Sequence, residues 1–340
     1  MPGTKFADTE IGKWKATVFV TRAAKQILNT IKTKQCLLIT GTIGSGKSVN
    51  AYYAAFELEK EGFEVIVVAT PGDVEKFSKI NTRQLFILDD VIGKYTINEN
   101  NLKWLEQNGA ALQNLMNANA TTKIVMTCRS YLHYSWILQR GNISCEHCDL
   151  LAHDSQLTLK ERRQICDIYL KKNVADKITD CVIMLYDFFP SLCDMFIKEE
   201  RTVDFFEHPF EYLKSEINHF KTKEECEYLA LALLVILNNK VEFDACNSSS
   251  RQREELIQNL YLESAFRQLP AKDELFVTLT SLVGTFVKDS SSSFSFINKQ
   301  LFETVSICVG NFFPDCILKY SSSTFIKDRV QLNFDGIPNE

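Results

Sequence analysis

The stretch Cys36 to Asn50 constrains this chain more than any other. An apolar run, Cys36-Leu37-Leu38-Ile39-Thr40, leads into Gly41-Thr42-Ile43-Gly44-Ser45-Gly46-Lys47-Ser48, and a helix-permissive stretch follows. The spacing is that of the G-x-x-x-x-G-K-[ST] phosphate loop. Gly41, Gly44 and Gly46 free the backbone for a tight loop and for close approach to a ligand. Loop amides and the N-terminus of the next helix point at an anion. Lys47 is placed to reach β- and γ-phosphates, and the Ser48 hydroxyl to ligate Mg2+. Gly41, Thr42, Ile43, Gly44, Ser45, Gly46, Lys47, Ser48 and Val49 are thus the candidate nucleotide contacts, with ATP/ADP and Mg2+ as the expected cofactors. A Gly-rich turn that meets the pattern by chance would not be framed by a strand before it and an amphipathic helix, Lys47 to Glu61, after it.

A second run supports the first. Gln84-Leu85-Phe86-Ile87-Leu88-Asp89-Asp90 reads as a short buried strand ending in two carboxylates. In parallel sheets ligand groups gather beyond the carboxyl ends of strands. Asp89 is therefore, with Ser48, the candidate Mg2+ ligand, and Asp90 the residue that orients or deprotonates the attacking water. The bland alternative is an Asp-Asp helix cap, which the phosphate loop disfavours.

Around these motifs the chain alternates. Thr21 caps a predicted helix with Arg22 just inside it, and Phe19, Val20 and Arg22 are candidates for a base pocket. Strands are expected at Cys36–Thr40, Glu64–Ala69, Leu85–Leu88, Lys123–Thr127 and Asp149–Ala152, the second of them β-branched throughout its centre. Helices are expected at 47–61, 74–79 and 102–118. One strand lies in sequence between the loop strand and the Asp-Asp strand, and another follows it, ending in polar residues. That order suggests the additional-strand class of P-loop NTPases, in which the later strand presents a sensor to the γ-phosphate; Thr127 and Arg129 stand there.

After Ala152 the alternation ends. Thr158 and Glu161 form a capping-box pattern, and helices are expected at 159–171, 175–186, 190–198, 209–220 and 223–237. Asn238–Ser250 reads as a polar linker. Beyond it come helices at 251–267 and 272–287, a Ser-rich loop at 290–293, a strand at Phe294–Ile297, and a helix at 298–312. The expected architecture is a flexible lead-in at 1–13, an α/β P-loop NTPase core with a parallel sheet at 14–152, an α-helical lid at 153–240, a small winged-helix-like domain at 251–330, and a tail at 331–340.

Composition narrows the partners. The 340-residue chain is 45% hydrophobic and 24% charged, with a net charge of −5 and no basic block. That balance gives no general attraction to nucleic acid or anionic membrane. The first residues lack an apolar signal region. The longest apolar run, Leu229 to Leu237, is too short for a bilayer, which needs about 20 residues. Eleven cysteines are scattered without a disulfide pattern, so reduced, buried thiols in a cytoplasmic protein are expected. Cys145-Glu146-His147-Cys148 has no second ligand pair, and strand and loop cysteines account for it better than zinc.

The combination Phe19-Val20-Thr21-Arg22, Ile39-Thr40-Gly41 through Ser48, Phe86-Ile87-Leu88-Asp89-Asp90-Val91-Ile92-Gly93-Lys94-Tyr95 and Ile124-Val125-Met126-Thr127-Cys128-Arg129 resembles the STAND-class NTPases. More narrowly it resembles the third group of novel STAND domains. Cys148-Asp149-Leu150, Leu157-Thr158-Leu159, Phe188-Phe189-Pro190-Ser191-Leu192-Cys193, Phe294-Ser295-Phe296-Ile297 and Phe302-Glu303-Thr304-Val305 agree as well, so the resemblance extends over roughly 14–330.

The resemblance implies a molecular switch: an NDP-bound closed state, opening on exchange for NTP, slow hydrolysis, and protein partners or self-association in the ATP state, in signalling of the innate immune type. Flanking effector and sensor domains are usual in the class, and their absence suggests a fragment or reduced member. The lid Gly-x-Pro of the class is matched at Pro190 without its glycine, and the winged-helix histidine position holds Asn298. Two other functions compete. A small-molecule kinase would need basic clamps after the core; the Arg162-Arg163 pair reads as a solvated helix face instead. An AAA-like or nucleic-acid motor would need a basic track with stacking aromatics.

Overall fold

The register of the first sheet follows from where β-branched and aliphatic residues run without interruption. Cys36–Gly41 (β1), Glu64–Val67 (β2), Gln84–Leu88 (β3), Thr122–Arg129 (β4) and Glu146–Asp149 (β5) form a five-stranded sheet in the order β2-β3-β4-β1-β5. All its pairings are parallel. Strands β1, β3 and β4 are buried along their whole length, as expected of strands covered on both faces. β4 lies between the loop strand β1 and the Asp-Asp strand β3, with Gly41 level with Arg129 and Leu88 level with Met126. Everything chemically interesting therefore emerges at one end of three adjacent strands. The computed structural model describes residues 19–42, 44–93, 98–130, 138, 141–198, 201–223, 225–242, 251–264, 266–267, 270–290 and 292–330. The expectations for the lead-in, for Ile43, Lys94 and Tyr95, and for the tail lie outside them.

Helices Arg22–Thr33 (α1) and Lys47–Lys60 (α2) cover one face of the sheet. Ala23, Ile27 and Ile31 of α1 join Ala51, Ala54, Ala55 and Leu58 of α2 over Leu37, Ile39, Leu85, Ile87 and Val125. Thr21 caps α1, its hydroxyl accepting from the Ala24 amide. Gly72–Phe77 (α3) and Glu99–Ala118 (α4) complete the α/β part, with Asn98 capping α4. Gly109 of α4 approaches the Gly141 carbonyl so closely that a Cβ would stand 2.3 Å from it.

The fifth strand begins three residues before the predicted start, at Glu146 instead of Asp149. The reason is register: Leu37 pairs with Glu146 and Thr40 with Asp149, so β1 has no further partners to offer. The Leu150 amide bonds the Thr40 carbonyl and the chain turns away. The Cys36 and Cys145 thiols meet at 2.8 Å at the opposite end of these strands.

The following helices are Leu159–Tyr169 (α5), the short Lys172–Ala175 (α6) and Asp180–Ile183 (α7), and Phe189–Lys198 (α8). The expected capping box is present: Glu161 donates its amide to Thr158 Oγ1 and accepts from the Thr158 amide. The single helix expected over 175–186 is instead broken, because Thr179 turns extended and caps α7. Arg162 also departs from the solvated-face reading. It is 2% exposed and donates to the carbonyls of Leu157, Ile183 and Tyr186 and to Asp187. Only its neighbour Arg163, paired with Asp180, is near solvent.

The chain divides into two compact units, 1–209 and 210–340; the division falls inside the 153–240 stretch. The second unit holds Phe210–Lys223 (α9), Glu225–Ile236 (α10), Val241–Glu242 (β6), Arg251–Ser264 (α11), Lys272–Ser281 (α12), Val287–Asp289 (β7), Ser293–Phe296 (β8), Lys299–Phe312 (α13), Pro314–Tyr320 (α14) and Ser323–Arg329 (α15). Its three strands form an antiparallel sheet in the order β6-β8-β7. Strand β6 sits in the stretch read as linker, and the helix expected over 272–287 ends at Ser281, with β7 starting at its expected last residue, Val287. Helix α10 carries Glu225 and Glu227 in its first turn and is then apolar and buried from Tyr228 to Ile236. Among the described residues no single helix is long and apolar enough to cross a membrane; α13 and α14 pass such a test only together, across a 111° bend.

Candidate functional site

The end of β1 runs into a loop whose shape depends on glycine. Gly44 and Gly46 have φ of 65° and 93°, a region that side chains disfavour. Gly46 in this conformation opens α2 with no side-chain cap, so the first amides of the helix are left for another acceptor. At Gly41 an added Cβ would stand 2.5 Å from Ser45 Oγ. Thr42 is 3% exposed, and its Oγ1 is hidden from solvent with no hydrogen-bond partner.

Lys47 is 7% exposed and its Nζ donates to the Thr42 carbonyl at 2.7 Å. Burial lowers its pKa to about 8; Asp90 and Asp89 pull it up again, while Arg129 pushes further down. Arg129, 3% exposed, ends β4 level with Gly41. The site thus joins two cations to two carboxylates.

The carboxylates are held from two sides. Ser48 Oγ lies 2.8 and 2.9 Å from the two Asp89 oxygens. From β4, Thr127 Oγ1 donates to Asp89 Oδ1 at 2.5 Å and accepts from the Asp90 amide at 2.8 Å. Asp90 itself has φ of 48°, so the chain turns sharply as it leaves β3; Asp tolerates this conformation better than most residues. A hydroxyl beside a carboxylate is a hard-oxygen pair of the kind Mg2+ accepts. The orphan Thr42 hydroxyl, the lysine and the uncapped helix start suit an anion. The residues present therefore fit a magnesium–phosphate ligand.

Two further groups border the loop. Ser191 Oγ donates to the Gly44 carbonyl at 3.3 Å, and Phe188 packs on the same glycine. Pro190 lies between them in the first turn of α8. Arg22 faces elsewhere: its amide and guanidinium engage Glu161, and Nη2 donates to the Gln156 carbonyl. Thr21 meets Asn50 of α2, which bonds back to the Gly46 carbonyl. Among the described residues no three His, Cys, Asp or Glu side chains converge as a metal cluster; Cys148 lies against Ser155.

Sequence reading passed over Tyr52. It stands one turn after Ser48 on α2, and residues four apart share a helix face, so the spacing alone could have drawn attention to it. Burial and the charges of Asp89 and Asp90 raise its phenol well above the ordinary range.

No curated protein matches the chain. Among solved structures, a Walker-type ATPase of Pyrococcus abyssi aligns at 12% identity over 90% of this chain and 98% of its own, with a TM-score of 0.48. The ORC1 protein of Aeropyrum pernix, solved in complex with DNA, aligns at 14% identity over 87% and 94%, with a TM-score of 0.43. AMPPCP-bound DnaA from Aquifex aeolicus aligns at 14% identity over 77% and 86%, with a TM-score of 0.33. Residues 19–172 match the family model described as Novel STAND NTPase 3. The resemblance first carried by the phosphate-loop and Asp-Asp runs thus holds for residues 19–172, the part of the chain that is similar to this family.

Proposed function

We propose that this chain is an ATP/ADP-binding switch that hydrolyses ATP slowly with Mg2+. The observation that carries the reading is the joint hold on Asp89 by Ser48 from α2 and Thr127 from β4, beside a buried Lys47. Bound Mg2+ would supply charge neutralisation between the phosphate oxygens. Ser48 and Asp89 hold it. The loop from Gly41 to Ser48, with Val49 behind it, cradles the phosphates, and Lys47 leaves the Thr42 carbonyl for them. Asp90 orients or deprotonates the attacking water, and Arg129 reads the γ-phosphate.

The contact of Ser191 and Phe188 with Gly44 supports a coupling between the loop and the helices after Ala152, with Pro190 near the base or ribose. In the second unit, three antiparallel strands among helices support the winged-helix-like reading. A ligand shifts such a system only through different affinities for its two states. The reading includes an intracellular setting and protein partners or self-association in the ATP state.

Calorimetry with ADP and ATP on the parent and on Lys47→Ala tests binding, which the substitution should abolish while the fold survives. Limited proteolysis of residues 153–330 without nucleotide, with ADP and with a non-hydrolysable ATP analogue tests the switch. Different protection is expected with the analogue, and Arg129→Ala should erase that difference alone. Identical digestion in all three states of the parent would leave a plain nucleotide-binding module.

A further inference from the structure

An asparagine inside a helix is a poor choice on local grounds, because its amide competes with the backbone for hydrogen bonds. Asn50 nevertheless stands near the start of α2, 8% exposed, where the neighbouring buried positions are Ala51, Ala54 and Ala55. Its Nδ2 donates to the Gly46 carbonyl at 2.9 Å, which also accepts from the Asn50 backbone amide at 2.9 Å. A carbonyl only accepts, so the nitrogen end of the side chain must face Gly46. The oxygen end accepts from Thr21 Oγ1 at 3.5 Å, and Thr21 is itself fixed as the cap of α1 by the Ala24 amide. One buried amide thus clamps the last glycine of the loop to the start of the neighbouring helix.

Gly46 is where such a clamp matters. Its left-handed φ of 93° is one of several conformations open to a glycine. The peptide unit is planar, so holding the Gly46 carbonyl also sets the direction of the Lys47 amide, one of the uncapped amides at the start of α2. In the nucleotide-binding reading above, on which this inference rests, those amides face phosphate. A loop ordered before its ligand arrives spares binding the cost of ordering it. The fold needs the clamp less. Without the side chain, the Gly46 carbonyl keeps the Asn50 backbone amide and Thr21 Oγ1 keeps the Ala24 amide. We infer that Asn50 is a positioning residue of the phosphate loop: its side-chain amide locks Gly46 in the left-handed conformation and ties it to the start of α1, so that the loop is shaped for phosphate before phosphate binds.

Asn50→Ala in the full chain tests this. Calorimetry should show affinity for ADP, ATP and inorganic pyrophosphate falling by a common factor of roughly three to ten, the scale of one lost hydrogen bond. The single-turnover rate at saturating ATP and the thermal midpoint should stay near the parental values. Hydrogen–deuterium exchange gives a readout without nucleotide: peptides covering 41–49 should exchange faster in Asn50→Ala, and those covering 51–60 should not. Parental affinity, parental exchange over 41–49, a slower rate at saturation with affinity unchanged, or a thermal midpoint that falls together with affinity would each overturn the inference, the last by making Asn50 a packing group. If the parent binds none of the three ligands, the nucleotide reading falls and takes this inference with it; if the parent binds them and only the Asn50→Ala results fail, that reading stands without this residue.

Discussion

Ser191 and Gly44 hold each other in place. The Ser191 hydroxyl donates to the Gly44 carbonyl across 3.3 Å, and a Cβ on Gly44 would stand 2.5 Å from that same oxygen and 2.9 Å from Phe188 Cβ. With φ at 65°, an alanine there is strained even before it meets α8. Gly44→Ala should therefore destabilise the first unit by roughly 1–3 kcal/mol, measured by urea unfolding, and should expose the 186–192 segment to protease. A mutant with parental stability and protection would mean that the loop and α8 do not constrain each other.

Thr127 is a joint between the two carboxylates. Its hydroxyl donates to Asp89 and accepts from the Asp90 amide. Thr127→Val keeps the shape and strips both bonds, leaving the half-buried Asp90 amide without its acceptor. The expected cost is about 1–3 kcal/mol in folding stability, together with a loss of ATP hydrolysis. Thr127→Ser, which restores the hydroxyl, should recover most of both. Recovery of neither would place the effect in packing.

Arg162 should resist its nominally conservative replacement. A lysine has one nitrogen where the guanidinium reaches three carbonyls and Asp187, and the two side chains differ in geometry. Arg162→Lys should cost roughly 3–5 kcal/mol, the range for breaking a buried ionic arrangement by removing one partner. Denaturant titration would show it, and Arg163→Lys, near solvent, serves as the contrast with little effect.

Glu161 gives the first unit a dependence on pH. Burial alone would raise its carboxyl, but the backbone donors of Arg22 and Thr158, the Thr158 hydroxyl and the Arg22 charge outweigh burial and hold it below the ordinary carboxylate range. A carboxyl lowered by folding contributes stability above its unfolded pKa and loses it as pH falls through its folded value. Glu161→Gln should be less stable than the parent by about 1–3 kcal/mol near neutrality. The gap should close as pH drops through the carboxylate range. A gap independent of pH would assign the loss to shape rather than charge.

What the sequence reveals here depends on how far apart the interacting residues stand. The Thr21 cap and the Thr158–Glu161 box are written within four residues, and both occur as read. The loop and the Asp-Asp strand are legible because each motif carries its own strand. Arg162 was misjudged because its partners lie at Ile183, Tyr186 and Asp187, beyond any local pattern. The start of β5 is set by Leu37 and Thr40 across the sheet, not by its own residues. β6 and β7 are too short, at 2 and 3 residues, to show alternation. Tyr52 was within reach, yet one tyrosine on a helix face has many ordinary explanations until a carboxylate pair is placed opposite it.

The buried helix α10 has a consequence for how the second unit comes apart. A helix that is apolar all round has no wet side on which to rest when its neighbours leave. From Tyr228 to Ile236 each residue is covered, and the covering comes from both earlier and later parts of the chain: α9 packs against it from before, and from after it Thr278 meets Cys226 and the Cys308 carbonyl accepts from Tyr228. Peeling away either flank bares the same apolar rod. The unit therefore has no stable half: a cut between Phe210 and Arg329 yields two sticky pieces rather than one smaller fold, and any minimal fragment has to keep both ends.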